Sequence, residues 1–96
     1  MADEAVGFGG WSPYRELNPQ DQVIFDEALS GLLGVKYTPT LVATQIVKGT
    51  NYRYQADAEV PGPTPGTWKA LVDIYVPLQD IPGTKVVPLL IQIIKI

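Results

Sequence analysis

Carboxylates are where chemistry would have to start in this chain. Asp57 and Glu59 alternate along one stretch and Asp73 lies on another. The three could share a sheet face and do general acid–base work or hold a cation. The same alternation also describes the solvated side of a half-buried strand, and we read them that way. Other routes are closed. The chain has no histidine and no cysteine, which removes the Ser-His-Asp triad, the Cys-His pair, the thiolate nucleophile and structural zinc. Its two serines, Ser12 and Ser30, have no base of the usual kind. The reading is a non-enzyme with no cofactor and no metal.

Charge narrows the partners. Ten acidic and seven basic residues give a net charge of −3. The bases (Arg15, Lys36, Lys48, Arg53, Lys69, Lys85 and Lys95) are scattered singly. Nucleic-acid binding needs a basic patch or stripe, so that class is rejected. Val86–Ile94 is broken by Pro88 and Gln92 and is too short to span a bilayer, so no membrane association is expected. The opening Met1-Ala2-Asp3-Glu4 is the reverse of a signal peptide's basic start. The expected compartment is cytoplasmic if the chain is complete, with secretion left open if a signal sequence was removed.

Composition then asks for a fold. At 96 residues, 46% hydrophobic and 18% charged, the chain reads as one folded domain over residues 1–96. Residues 1–16 carry Gly7-Phe8-Gly9-Gly10-Trp11 and no period, and read as a mobile glycine-rich arm. Asn18-Pro19 is a helix start, with Asp21 at the positive helix end. Val23, Ile24, Phe25, Ala28, Leu29, Leu32 and Leu33 recur at helical spacing, predicting an amphipathic helix over 18–33 that ends at Gly34.

From residue 41 the period becomes two. Strands are predicted over 41–47, 52–60, 68–76 and 86–96. Lys48–Asn51 reads as a hairpin, Pro61–Gly66 as a rigid loop and Pro77–Lys85 as a second hairpin. Alternation puts the two hairpins at one end of the sheet. The fold class is α+β, one helix packed across an antiparallel sheet of four to five strands.

Gln45-Ile46-Val47-Lys48-Gly49, followed by Thr50-Asn51-Tyr52, resembles the Gln-x-Val-x-Gly signature of the cystatins, inhibitors of papain-like cysteine proteases. The resemblance extends over roughly residues 8–96, through Gly9-Gly10, the helix and the second hairpin, and is nearest the disulfide-free stefins. It implies a cystatin-like fold and a wedge that fills a protease cleft without reacting. On that resemblance Gly9 or Gly10 is the pivot of the arm, with Val6 and Phe8 reaching substrate subsites. Gln45, Ile46, Val47, Lys48 and Gly49 form the central loop, and Ile81, Pro82 and Gly83 form the second hairpin's contact. A Gly49→Glu change is expected to weaken inhibition while sparing the fold.

Two departures stand out. The second hairpin lacks the family's tryptophan, and Trp68 reads as core. Lys48 stands where the family usually has a small residue; it either snorkels to solvent or turns the loop towards an acidic cleft. The alternative function is a non-inhibitory binding or oligomerisation module, because Val86–Ile96 is apolar on both faces and ends the sheet. A monomer is expected, with an edge-strand dimer or a domain swap through the first hairpin as the other states.

Overall fold

The structure is a computed structural model that describes residues 10–64 and 66–96. One helix packs on a four-stranded antiparallel sheet, an α+β architecture. The elements are α1 (Pro19–Leu29), β1 (Lys36–Val47), β2 (Gly49–Val60), β3 (Gly66–Val76) and β4 (Leu89–Lys95). Sheet order is chain order, β1-β2-β3-β4, so every strand pairs with its neighbour in sequence.

The helix begins as its residues dictate. Asn18 accepts from the Asp21 backbone N–H at 2.8 Å, and the Asp21 carboxylate accepts from the Asn18 N–H at 2.9 Å, a closed capping box with Pro19 at the first position. It stops four residues short of the expected end: 18–33 becomes Pro19–Leu29. Ser30 caps it, the Leu32 N–H turns back to the Leu29 carbonyl, and Gly34 takes a positive φ to launch β1. Leu32 and Leu33 are consequently outside the core, with Leu33 92% exposed, and Val23 is also exposed. The apolar stripe is Ile24, Phe25, Ala28 and Leu29.

Beneath it the sheet is shaped to receive a helix. Phe25 meets Tyr54 edge-on at 4.9 Å between ring centres, with Val42, Val72 and Ile74 around them. Ala56, Ala58 and Ala70 are buried on the same face, and such small side chains let the helix come close. The Tyr54 hydroxyl donates to the Asp21 carbonyl at 2.9 Å, joining helix and sheet through a buried hydrogen bond. Burial first, then the nearby Asp21 charge, pushes the Tyr54 hydroxyl well up, so it stays a donor. Trp68, expected in the core, is only half-buried, and the Lys95 ammonium lies 5.6 Å above its ring.

The strands are longer and the hairpins tighter than alternation predicts. β1 starts at Lys36 rather than Leu41 and passes through Pro39, where a register shift between Pro39 and Leu41 absorbs the missing donor. The first hairpin is not Lys48–Asn51: Val47 pairs with Gly49 across Lys48 alone. The last strand starts at Leu89 rather than Val86, so 77–88 is one irregular connection. A register shift between Asp73 and Ile74 leaves Ile91 without a partner, a bulge in β4.

The arm also departs from expectation. Residues 1–9 lie outside the described residues, but 11–15 are held rather than mobile. Trp11 bridges to Gln45 and Arg15 to Val42, with Arg15 and Val42 exchanging backbone hydrogen bonds of 2.9 Å in both directions. This segment lies along the outer side of β1 through two isolated β-bridges, without forming a strand of the sheet. Arg15 then reaches back to Asp21 with a bidentate contact of 2.5 and 3.2 Å.

Asp21 and Asp73 are the buried carboxylates among the described residues. Burial pushes both upward, but hydrogen bonds outweigh it: from Arg15 and the Asn18 N–H on Asp21, and from Arg53 and Gln92 on Asp73. Both carboxyls are held below the ordinary 3.8. A lowered folded-state value gives stability that is fully present above the unfolded value and is lost as pH falls through the folded one. Denaturant unfolding should therefore show stability falling steeply below about pH 4, and the fall should flatten in Asp21→Asn and Asp73→Asn. Asp21→Asn should also cost on the order of 2 kcal/mol at neutral pH, less than a fully buried pair because Arg15 is partly exposed.

Candidate functional site

One end of the sheet collects most of the residues singled out in the sequence. Strand register decides this. Gln45 sits beside Trp11 on one side and Asn51 on the other, and Thr50 pairs with Val76, after which the chain leaves β3 for the 77–88 connection. Gly10, the Gln45–Gly49 hairpin and the start of the connection holding Ile81–Gly83 therefore share that end. Phe8 and Gly9 lie outside the described residues.

Gln45 through Gly49 form a stiff apex. The Asn51 side-chain amide donates to the Gln45 side-chain oxygen Oε1 at 2.8 Å, locking the strands just below the turn. Ile46 is 51% exposed, Lys48 is exposed, and Gly49 is buried. Gly49 has φ +105°, a region that side chains avoid. A Cβ there would lie 2.6 Å from the Val76 carbonyl oxygen and 2.7 Å from the Tyr75 hydroxyl. The Tyr75 hydroxyl in turn donates to the Lys48 carbonyl. Tyr75, at the end of β3, thus fastens the apex of the β1–β2 turn.

The 77–88 connection is ordered by its own contacts. Ile81-Pro82-Gly83-Thr84 forms a turn in which the Thr84 N–H reaches the Ile81 carbonyl at 3.2 Å and Gly83 has φ +83°. Proline followed by a positive-φ glycine is the pattern of a type II turn. Gln79 donates to the Thr84 carbonyl at 2.8 Å, and Lys85 faces Glu27 of the helix at 3.7 Å. Ile81, at 66% exposure, and Leu78 face solvent.

The outer sheet face carries a polar relay instead of an acid cluster. Trp11 lies 4.5 Å above the Arg53 guanidinium, Arg53 makes hydrogen bonds of 2.8 and 3.1 Å to Asp73, and Gln92 adds one of 2.8 Å to the same carboxylate. Asp73, expected on the solvated side, is buried because Arg53 neutralises it. Asp57 is paired with Lys69. Among the described residues no group of three acidic, histidine or cysteine side chains converges on a cation site. Among them, too, no helix is long and apolar enough to cross a membrane.

Two residues here are absent from the motif reading: Trp11 and Tyr75. Trp11 had a signal, an aromatic in a glycine-rich arm. Tyr75 had none, since its role depends on the β2–β3 register. Compared with protein-family models, curated proteins and solved structures, the chain has no significant match to any of them.

The crowding at Gly49 corrects one expectation, because Gly49→Glu cannot spare the local fold. Even Gly49→Ala should destabilise by about 2 kcal/mol or more and disturb the apex. Denaturant unfolding together with amide exchange at Lys48–Asn51 measures this. An alanine variant as stable as the parent would show that the turn relaxes freely.

Proposed function

We propose that this chain has a cystatin-like fold and acts as a reversible, non-covalent inhibitor of papain-like cysteine proteases. The observation that supports it is that three segments meet one sheet end: the arm at Gly10-Trp11, the Gln45–Gly49 hairpin and the start of the connection that carries Ile81–Gly83. Blocking a cleft needs shape and apolar contact, and Ile46 on the hairpin with Leu78 and Ile81 on the connection provide exposed apolar surface. The hairpin is already ordered through Asn51 and Tyr75, so little conformational freedom is lost on docking. The reactive cysteine and histidine of such a complex belong to the partner.

A second reading, self-association through β4, draws on the exposed Leu89, Ile91, Ile94 and Ile96. The bulge at Ile91 opposes it, since bulges are one way an edge strand is kept from pairing. Light scattering at high concentration separates the two, a strict monomer counting against assembly.

The deciding experiment is titration of papain with the purified monomer. Activity should fall reversibly and competitively. Ile46→Glu should weaken inhibition at least tenfold, about 1.4 kcal/mol or more, while leaving the unfolding midpoint in place because Ile46 is half-exposed. Papain and cathepsin-type enzymes left fully active by saturating monomer would sink the reading.

A further inference from the structure

The seven bases are not distributed as their scatter in sequence suggests. Arg15 is paired with Asp21, Arg53 with Asp73, Lys69 with Asp57 and Lys85 with Glu27. Lys36 stands directly across from Glu59 in the β1–β2 register, and Lys95 lies over the Trp68 ring. Lys36 and Lys48 make no ion pair or ring contact among the described residues, and of the two only Lys48 has no acidic residue opposite it in the strand register. Asp80, the carboxylate of the 77–88 connection, forms no bridge with it.

Its position makes that absence matter. Lys48 is the single residue between Val47 and Gly49, exposed at the foremost point of the hairpin. Its backbone is not free to swing. The Tyr75 hydroxyl holds the Lys48 carbonyl, and the Gly49 backbone lies against the Tyr75 ring and the Val76 carbonyl with no room for a Cβ. Apolar residues lie around the turn, with Ile46 and Val47 before it, Val76 at the end of β3 and Pro77 and Leu78 just beyond. An ammonium on a fixed backbone, leading an apolar edge on a protein of net charge −3, has its complement outside the chain.

We propose that Lys48 is a specificity-determining residue: the partner's cleft presents a carboxylate where the hairpin apex enters, and Tyr75 positions the lysine to meet it. This rests on the inhibitor reading above and adds the charge of the cleft that the chain selects. A fixed cation pairing with a carboxylate across an interface sets partner choice and association rate, and the effect weakens as salt screens it.

The test compares the parent with Lys48→Ala, Lys48→Met, Lys48→Glu and Tyr75→Phe. Inhibition constants and association rates are measured against papain-like enzymes with acidic and with neutral clefts, at low and high ionic strength. Against an acidic cleft at low salt, Lys48→Met should weaken inhibition about tenfold although it keeps the apolar stem, and Lys48→Glu about a hundredfold. High salt should close most of the gap, and neutral clefts should show little difference. Tyr75→Phe should fall between parent and Lys48→Met. Tyr54→Phe, which removes a buried hydroxyl remote from the apex, should lower stability without changing inhibition. Equal inhibition by the parent, Lys48→Met and Lys48→Glu at low salt overturns the role of Lys48 and leaves the inhibitor reading standing. A parent that inhibits none of the enzymes overturns both.

Discussion

The carboxylate of Asp21 is out of water, and what keeps it there also joins the parts of the fold. Its oxygens accept from the Asn18 N–H, which opens the helix, and from Arg15, which ends the segment bridged to β1. Its own carbonyl accepts from Tyr54, the fully buried tyrosine at the centre of the sheet. A buried charge without such partners is costly enough to unfold a small domain. Helix, outer segment and sheet are therefore mutually required: losing Arg15 or the helix start leaves the Asp21 carboxylate short of partners in a dry place, and losing the sheet strips its backbone carbonyl of the Tyr54 hydroxyl. The apolar core beneath the helix supplies most of the driving force but would tolerate some sliding. The Asp21 contacts remove that tolerance.

Much of this was legible in the residues. Asn18-Pro19 marks the helix start to within one residue, because capping is local chemistry. The alternation in Tyr52–Val60 and Trp68–Val76 gives both central strands and their inward faces, as a sheet buried on one side must. Legibility ended where a residue's role depends on a partner distant in sequence. Leu32 and Leu33 keep the helical spacing, yet the chain turns at Ser30 to reach β1. Asp73 looks like its solvated neighbours until Arg53 and Gln92 stand on either side of it. At the candidate site the Gln45–Gly49 hairpin is local and was read directly. The part played by Tyr75 comes from pairing with Asn51 and could not be.

The Trp11–Arg53–Asp73–Gln92 relay does for the outer face what Asp21 does for the inner one. It crosses from the arm over β2 and β3 to the edge strand, and the Trp11 ring covers the guanidinium, whose charge is already neutralised by Asp73. The arm is thereby tied to the same register that sets the hairpin. The proposed contact segments rest on one rigid support, whose position is fixed by polar geometry at two places and by apolar packing between them.

Sheet order that follows chain order also sets a sequence of events. Each strand can pair with its predecessor as soon as it exists, at an entropic cost that grows only slowly with the length of the connection between them. The segment bridged to the outer side of β1 is the exception. Residues 11–15 precede the helix, but their partner β1 follows it, so the earliest of the described segments to be synthesised must stay open until the helix and β1 have both emerged. Pro13 suits that interval, since a strand lacking one donor is a poor template for stray pairing. The arm waits for its own hairpin, and the edge it finally joins is the one that carries the apex.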